Sequence, residues 1–276
     1  MNRPALPSTC WAGRRPHRPK YRTRSSAPVT AAMARPWAVC CVTMPRSSTP
    51  RAPKLKNAQP FTRKVLAWYA RAGRDLPWRR TRDPYRVLVS EFMLQQTQVS
   101  RVREYYPRFL ERFPDLGSLA RAPARVVREA WDGLGYYARA RNLHELAKCV
   151  TRRHDGTLPD EPEELRELPG VGPYTAGAVA SFAYEKPVPA VDTNVSRVLR
   201  RVFFGRATLK DSLTVAGNVQ RATAVWGLAG KLVPKNGKRA WQFNQAMMEL
   251  GALICVARKP KCPQCPVRAV CRTGKG

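Results

Sequence analysis

From Phe61 onward, apolar residues return at three- and four-residue intervals. Val65, Leu66 and Tyr69 mark one such stretch, and Val87, Leu88, Phe92, Leu94, Val99 and Val102 mark another. This is the period of one helical face. Proline and glycine interrupt it at Pro77, Pro84, Pro107, Pro114, Gly133 and Gly135. The pattern predicts helices of about ten to fifteen residues joined by short loops. No run alternates with the period of a strand, so the expected fold class is all-α.

The first sixty residues follow a different rule. They contain twelve Lys and Arg and no Asp or Glu, are rich in Pro and Ser, and show no helical period. Such a segment cannot bury a core, and residues 1–60 read as a disordered basic segment. Its composition fits a transit-like peptide or an early start, with Met33 and Met44 as alternative starts. Over the whole chain, 50 Lys and Arg stand against 19 Asp and Glu, a net charge of +31. Removing the twelve N-terminal cations leaves about +19 (31 − 12) on residues 61–276. That excess calls for a polyanionic partner, nucleic acid above all. No apolar run is long enough to span a membrane.

Four segments carry candidate chemistry. The first is Leu168-Pro-Gly-Val-Gly-Pro-Tyr-Thr-Ala-Gly-Ala-Val179, where Gly170, Val171 and Gly172 predict a tight hairpin. A helix predicted from about Thr175 would turn its free amides toward a phosphate. In Val191-Asp-Thr-Asn-Val-Ser-Arg-Val-Leu199, Asp192 stands at an N-cap position behind an apolar approach. It is both a cap and a carboxylate placed beside the hairpin. Ser90-Glu-Phe-Met-Leu-Gln-Gln-Thr-Gln-Val99 places Glu91 and Gln95 four apart, hence on one predicted helical face. There Gln95, Gln96 and Thr97 form a polar break suited to base edges. Last, Cys255, Cys262, Cys265 and Cys271 read C-x6-C-x2-C-x5-C among Arg258, Lys259, Lys261, Arg268 and Arg272. Four thiolates so close can share a soft-metal centre, either an iron–sulfur cluster or structural zinc. A single CxxC with unequal flanks favours a [4Fe–4S] cluster over the paired knuckles of zinc.

Together with LPWRRTRDPY, GLGYYARARNL and FNQAMMELGA, these segments resemble the MutY-type adenine DNA glycosylases, in order and spacing, from about Phe61 to Cys271. The resemblance implies the helix-hairpin-helix DNA glycosylase fold. Residues 61–85 with 187–254 would form a cluster-side helical module. Residues 86–186 would form a six-helix barrel with its hairpin near 166–184, and 255–271 the [4Fe–4S] loop. It implies removal of adenine mispaired with guanine or 8-oxoguanine in double-stranded DNA. Glu91 would be the acid that protonates the base, Asp192 the carboxylate that stabilises the oxocarbenium-like sugar, and Asn194 the amide orienting Asp192. Gln96 would wedge into the duplex, while Trp78, Arg79 and Glu249 would line the adenine pocket. Tyr174 stands where relatives of the endonuclease III type carry a Schiff-base lysine, so a monofunctional enzyme without lyase activity is expected. Lys186 reads as a surface residue, and Tyr136 and Tyr137 as core aromatics.

Two features depart from the resemblance. Asp192-Thr193-Asn194 replaces the Asp-Gly-Asn of many relatives. Longer members also continue into a Nudix-like domain that recognises 8-oxoguanine, whereas this sequence runs to Gly276. Two other functions fit the same fold: a thymine-from-T·G glycosylase, and a non-catalytic iron–sulfur DNA-binding module. A monomer with no membrane contact is expected, cytoplasmic and DNA-associated in a bacterial source.

Overall fold

The computed structural model describes residues 57–205 and 215–274, with side chains from 222 onward in the second stretch. The disorder read for the N-terminal segment lies, over 1–56, outside the described residues. The described residues are helical with no strand among them. In chain order the helices are α1 (Ala58–Ala72), α2 (Pro84–Leu94), α3 (Val99–Arg112), α4 (Leu116–Arg121), α5 (Ala124–Ala130) and α6 (Ala138–Arg153). They continue as α7 (Pro162–Leu165), α8 (Pro173–Tyr184), α9 (Thr193–Leu199), α10 (Val215–Leu232) and α11 (Gly237–Leu253). Short 3₁₀ turns lie at Pro77–Arg79, Cys262–Gln264 and Arg268–Val270.

Local chemistry sets many of the starts. Asp83 accepts the Arg86 amide at 2.8 Å ahead of Pro84, which begins α2 with its φ already helical. Asp115 and Ser118 close a capping box on α4. Asn236 accepts the Arg239 amide at 3.0 Å to start α11. Helix α1 begins at Ala58, inside the stretch read from composition as disordered. Its face is set by Phe61 and Val65, both fully buried. Pro107, read as punctuation, lies inside α3. It falls on the exposed face, where water can take the carbonyl its missing N–H leaves open.

Helix α2 is the spine of one lobe. Every residue from Val87 to Met93 is buried, and the helix packs against α3, α6 and α8. Helices α4 and α5 lie on α6, and α7 lies on α8. The second lobe gathers α1, α9, α10 and α11 around Phe61, Val198, Phe243, Met247 and Leu250. Phe61 meets Phe203 and Phe243 edge-on, with centroids 5.1 and 6.4 Å apart. A short π-helix, Arg200–Phe204, extends α9 toward the cysteine-bearing end. Helix α8 touches both α2 and α11, so the chemistry-bearing ends of all three face one space between the lobes.

Candidate active site

An open cavity of about 1020 Å³ occupies that space. Its walls carry Trp78, Arg79, Glu91, Gln95, Gln96, Thr97, Tyr174, Asp192, Asn194 and Glu249, residues from five separate stretches of sequence. Glu91 is 4% exposed, in the last turn of α2. Tyr174 enters from the first turn of α8 and donates its hydroxyl to Glu91 Oε2 at 2.7 Å. Burial raises the Glu91 pKa to about 7; the Tyr174 bond pulls it down, Asp192 pushes it up and Arg79 pulls it down. A carboxylic acid in that range holds and releases a proton near neutrality, as a general acid must. Burial, with Glu91 and Asp192 nearby, also drives the Tyr174 phenol well above its ordinary value. It stays a neutral donor.

Asp192 serves the fold and the cavity together. Oδ1 accepts the Val195 amide at 2.6 Å, capping α9, and Oδ2 accepts the Asn194 side-chain amide at 2.8 Å. Asn194 thus bonds directly to the Asp192 carboxyl group. Arg197 continues the chain. It donates to Asn194 Oδ1 at 2.7 Å and to the carbonyls of Gly251 and Cys255 at 2.8 Å. A Cβ on Gly251 would stand 2.7 Å from that of Asn194, so only glycine lets α11 approach α9 this closely.

Glu249 is fully buried and shared by two guanidiniums. Arg74 reaches Oε1 at 2.5 Å and Oε2 at 3.1 Å, and Arg79 reaches Oε2 at 2.8 Å. Burial works against its charge, but these partners win and hold its pKa below the usual value. Glu249 is therefore a paired anion, where Glu91 is a protonatable acid. The Nε of Arg79 is buried in the cavity wall without a partner. Trp78 is buried and stacks edge-on with Tyr106, centroids 5.6 Å apart.

Three sequence expectations need correction. Gln95 shares the face of Glu91 only as the C-cap of α2, which ends at Leu94; its φ of −59° is still helical, and the chain turns away after it with ψ 109°. Gln96 follows in the left-handed region, φ 56°, exposed at a turn. The polar break is the end of the helix rather than a stripe along it. In the hairpin, only Gly170 takes positive φ (77°), while Gly172 is extended. A Cβ on Gly170 would also meet Asn142 at 2.7 Å, whereas one on Gly172 would meet nothing within 4 Å. The Val171 amide donates to Leu168 O at 3.1 Å, closing the turn. Helix α8 starts at Pro173, two residues before the expected start, leaving the first-turn amides of Tyr174 and Thr175 without intrahelical acceptors. Tyr136 and Tyr137, read as core, are 62% and 39% exposed. Lys186 bonds Asp160 and Glu161 at 2.8 and 2.7 Å, a surface role in keeping with its reading.

Sequence reasoning missed Arg74, Arg139 and Arg197. Nothing in the local sequence marks Arg74, since its partner lies 175 positions away. Arg197 carried a signal in its place one turn along the helix that Asp192 caps.

The four terminal cysteines border a second cavity, of about 280 Å³. Burial raises the Cys265 thiol to about 11, with Cys255, Cys271 and Cys262 adding to the rise. Arg201 Nη1 lies 3.4 Å from Cys255 Sγ, and the Gly274 amide donates to Cys271 Sγ at 3.3 Å. Among the described residues, no three His, Cys, Asp or Glu close on one point as a single metal ion requires.

Similarity to known proteins agrees with this geometry. Residues 89–224 match the HhH-GPD superfamily of base excision DNA repair proteins. The human adenine DNA glycosylase is 45% identical over 221 residues, covering 77% of this chain and 39% of that protein. The adenine DNA glycosylase of Mycobacterium tuberculosis is 47% identical over 204 residues, covering 74% and 64%. The chain thus spans between about two fifths and two thirds of these relatives. Among solved structures, a thermostable thymine-DNA glycosylase superposes with TM-score 0.71 at 32% identity, covering 80% of this chain and 97% of that one. Endonuclease III trapped covalently on DNA gives TM-score 0.65 at 28% identity, covering 79% and 97%. With this sequence, fold and site, the chain belongs to the HhH-GPD superfamily of base excision DNA repair proteins.

Proposed function

We propose that the protein is a monofunctional DNA glycosylase that removes adenine mispaired with guanine or 8-oxoguanine. The observation that carries this reading is Glu91: a buried carboxylic acid with a pKa of about 7, in an open cavity that also holds Asp192. The base must leave the stack to reach it. Glu91 gives its proton to adenine N7 and the C1′–N9 bond breaks, with the bonding electrons leaving on the base. The Asp192 carboxylate faces the resulting oxocarbenium-like sugar, held in place by Asn194 and Val195. Water adds to C1′ and its proton returns to Glu91, leaving an abasic site. Glu249, Arg79 and Trp78 supply an acceptor, donors and an apolar face suited to an adenine edge.

Tyr174 cannot form a Schiff base, and Lys186 is engaged by Asp160 and Glu161, which supports hydrolysis without strand cleavage. Double-stranded DNA would rest its phosphates on the first-turn amides of α8, beside the open backbone at Gly172. The four cysteines would hold a [4Fe–4S] cluster, whose irons each take one thiolate. Four thiols bordering one cavity of about 280 Å³ provide the all-sulfur donor set that such a cluster requires. When bound, the cluster would fix the 255–271 loop. Holoprotein should absorb broadly near ~400 nm; colourless protein with stoichiometric zinc overturns the assignment.

The test is single-turnover base release from duplexes with A opposite 8-oxoguanine, A opposite G, and T opposite G. Each is scored with and without alkaline cleavage. Adenine release that needs alkali supports the proposal. The structural likeness to a thymine-DNA glycosylase favours one second reading, removal of thymine from T·G, and thymine release alone would establish it. Binding without release from any duplex would leave a DNA-binding module.

A further inference from the structure

Arg139, in the first turn of α6, is 7% exposed, and no ion pair to it exists among the described residues. Its guanidinium instead ties two loops together. Nη1 lies 2.9, 2.7 and 2.6 Å from the carbonyls of Phe92, Met93 and Gln95. Nη2 reaches Thr97 Oγ1 at 3.0 Å and the carbonyls of Leu134 and Gly135 at 3.1 Å. A cation on the last carbonyls of α2 satisfies the negative end of that helix. The same group also spans to the Gly133–Tyr137 loop, 5.7 Å from the Tyr136 ring.

Each of these loops ends in a strained, exposed side chain. Gln96 has φ 56° and Tyr136 has φ 47°, a region that non-glycine residues occupy only when their surroundings impose it. Both neighbours of Gln96 in sequence are bonded to Arg139, and the Tyr136 carbonyl accepts the Arg139 amide at 2.9 Å. We propose that Arg139 is a positioning residue that fixes Gln96 and Tyr136 at one spacing, as paired prongs for opening the duplex. The inference rests on the reading above that the substrate is duplex DNA, and is independent of which base is released. Arg139 touches neither substrate nor reacting atoms. Its planar fork is what the role needs, because the single nitrogen of a lysine, with three donors, cannot serve all six acceptors that Nη1 and Nη2 divide between them.

The test uses the full chain with its cluster and a duplex carrying 2-aminopurine opposite guanine. Fluorescence reports unstacking, anisotropy reports binding, and a thermal melt reports folding. Wild-type binding is expected to raise fluorescence. Arg139→Met and Arg139→Lys should bind within about threefold, since phosphate contacts dominate affinity. Their fluorescence rise should fall to that of a Gln96→Ala/Tyr136→Ala double variant. Thr97→Val should lose part of the rise and Thr97→Ser, which keeps the hydroxyl, should restore it. That pair decides the matter if the Arg139 variants do not fold. Full unstacking by Arg139→Met overturns the proposal. So do equal Thr97→Val and Thr97→Ser responses, unstacking lost only in step with affinity or melting temperature, or wild-type binding with no rise. An intact rise without base release overturns the glycosylase reading alone.

Discussion

Removing the hydroxyl of Tyr174 tests how Glu91 is tuned. The phenol donates to Glu91 Oε2 at 2.7 Å and favours the ionised carboxylate, opposing the desolvation that raises its pKa to about 7. Tyr174→Phe keeps the ring, and hence the burial, while deleting that bond. A hydrogen bond to a charged group contributes about 1.5–3 kcal/mol. At 1.36 kcal/mol per pKa unit, its loss should raise the Glu91 pKa by about one to two units. A general acid works in its protonated form, so wild-type base release should fall as pH rises through about 7. In Tyr174→Phe this fall should move to higher pH by the same one to two units. The assay is single-turnover adenine release between pH 5 and 10, with saturating enzyme so that binding does not distort the profile. A limb that stays put, or moves to lower pH, refutes the assignment of Glu91 as the titrating acid.

Four further substitutions separate chemistry from folding. Glu91→Gln should abolish release yet stabilise the protein above neutral pH. The folded acid keeps its proton until about 7 whereas the unfolded one loses it near 4.5, so the wild type loses stability as pH rises between these values. The 2.5-unit gap corresponds to about 3 kcal/mol, present above pH 7 and absent below 4.5, and denaturant melts at pH 4 and pH 8 would measure it. Asp192→Asn keeps a good N-cap, so DNA binding and melting temperature should hold while release falls by at least about 10²-fold; an equal collapse of binding would make the cap its main role. Gly170→Ala should cost about 1–2 kcal/mol or more through its positive φ and the Asn142 contact. Gly172→Ala, which meets nothing, should leave stability within about 0.5 kcal/mol and weaken DNA binding, as a melt and a titration would show.

Much of this protein was legible in its sequence, because the controlling interactions are local. The 3.6-residue period placed the helices, Asp192 declared its cap three residues ahead of Val195, and Gly170 marked a turn only glycine fits. The cysteine spacing located a shared thiolate cavity, since all four lie within seventeen residues. Tertiary structure alone decided the rest. Glu91 becomes an acid near neutrality only because burial in the cavity removes it from water, against the opposing bond from Tyr174, 83 positions away. Glu249 stays an anion because Arg74 and Arg79, at least 170 positions distant, enclose it. Two glutamates with the same intrinsic acidity thus acquire opposite protonation. Helix α2 stops at Gln95, where Arg139, from another helix, takes up its last carbonyls. Desolvation and charge depend on everything within a few ångströms, whatever its separation along the chain, and no local pattern encodes that.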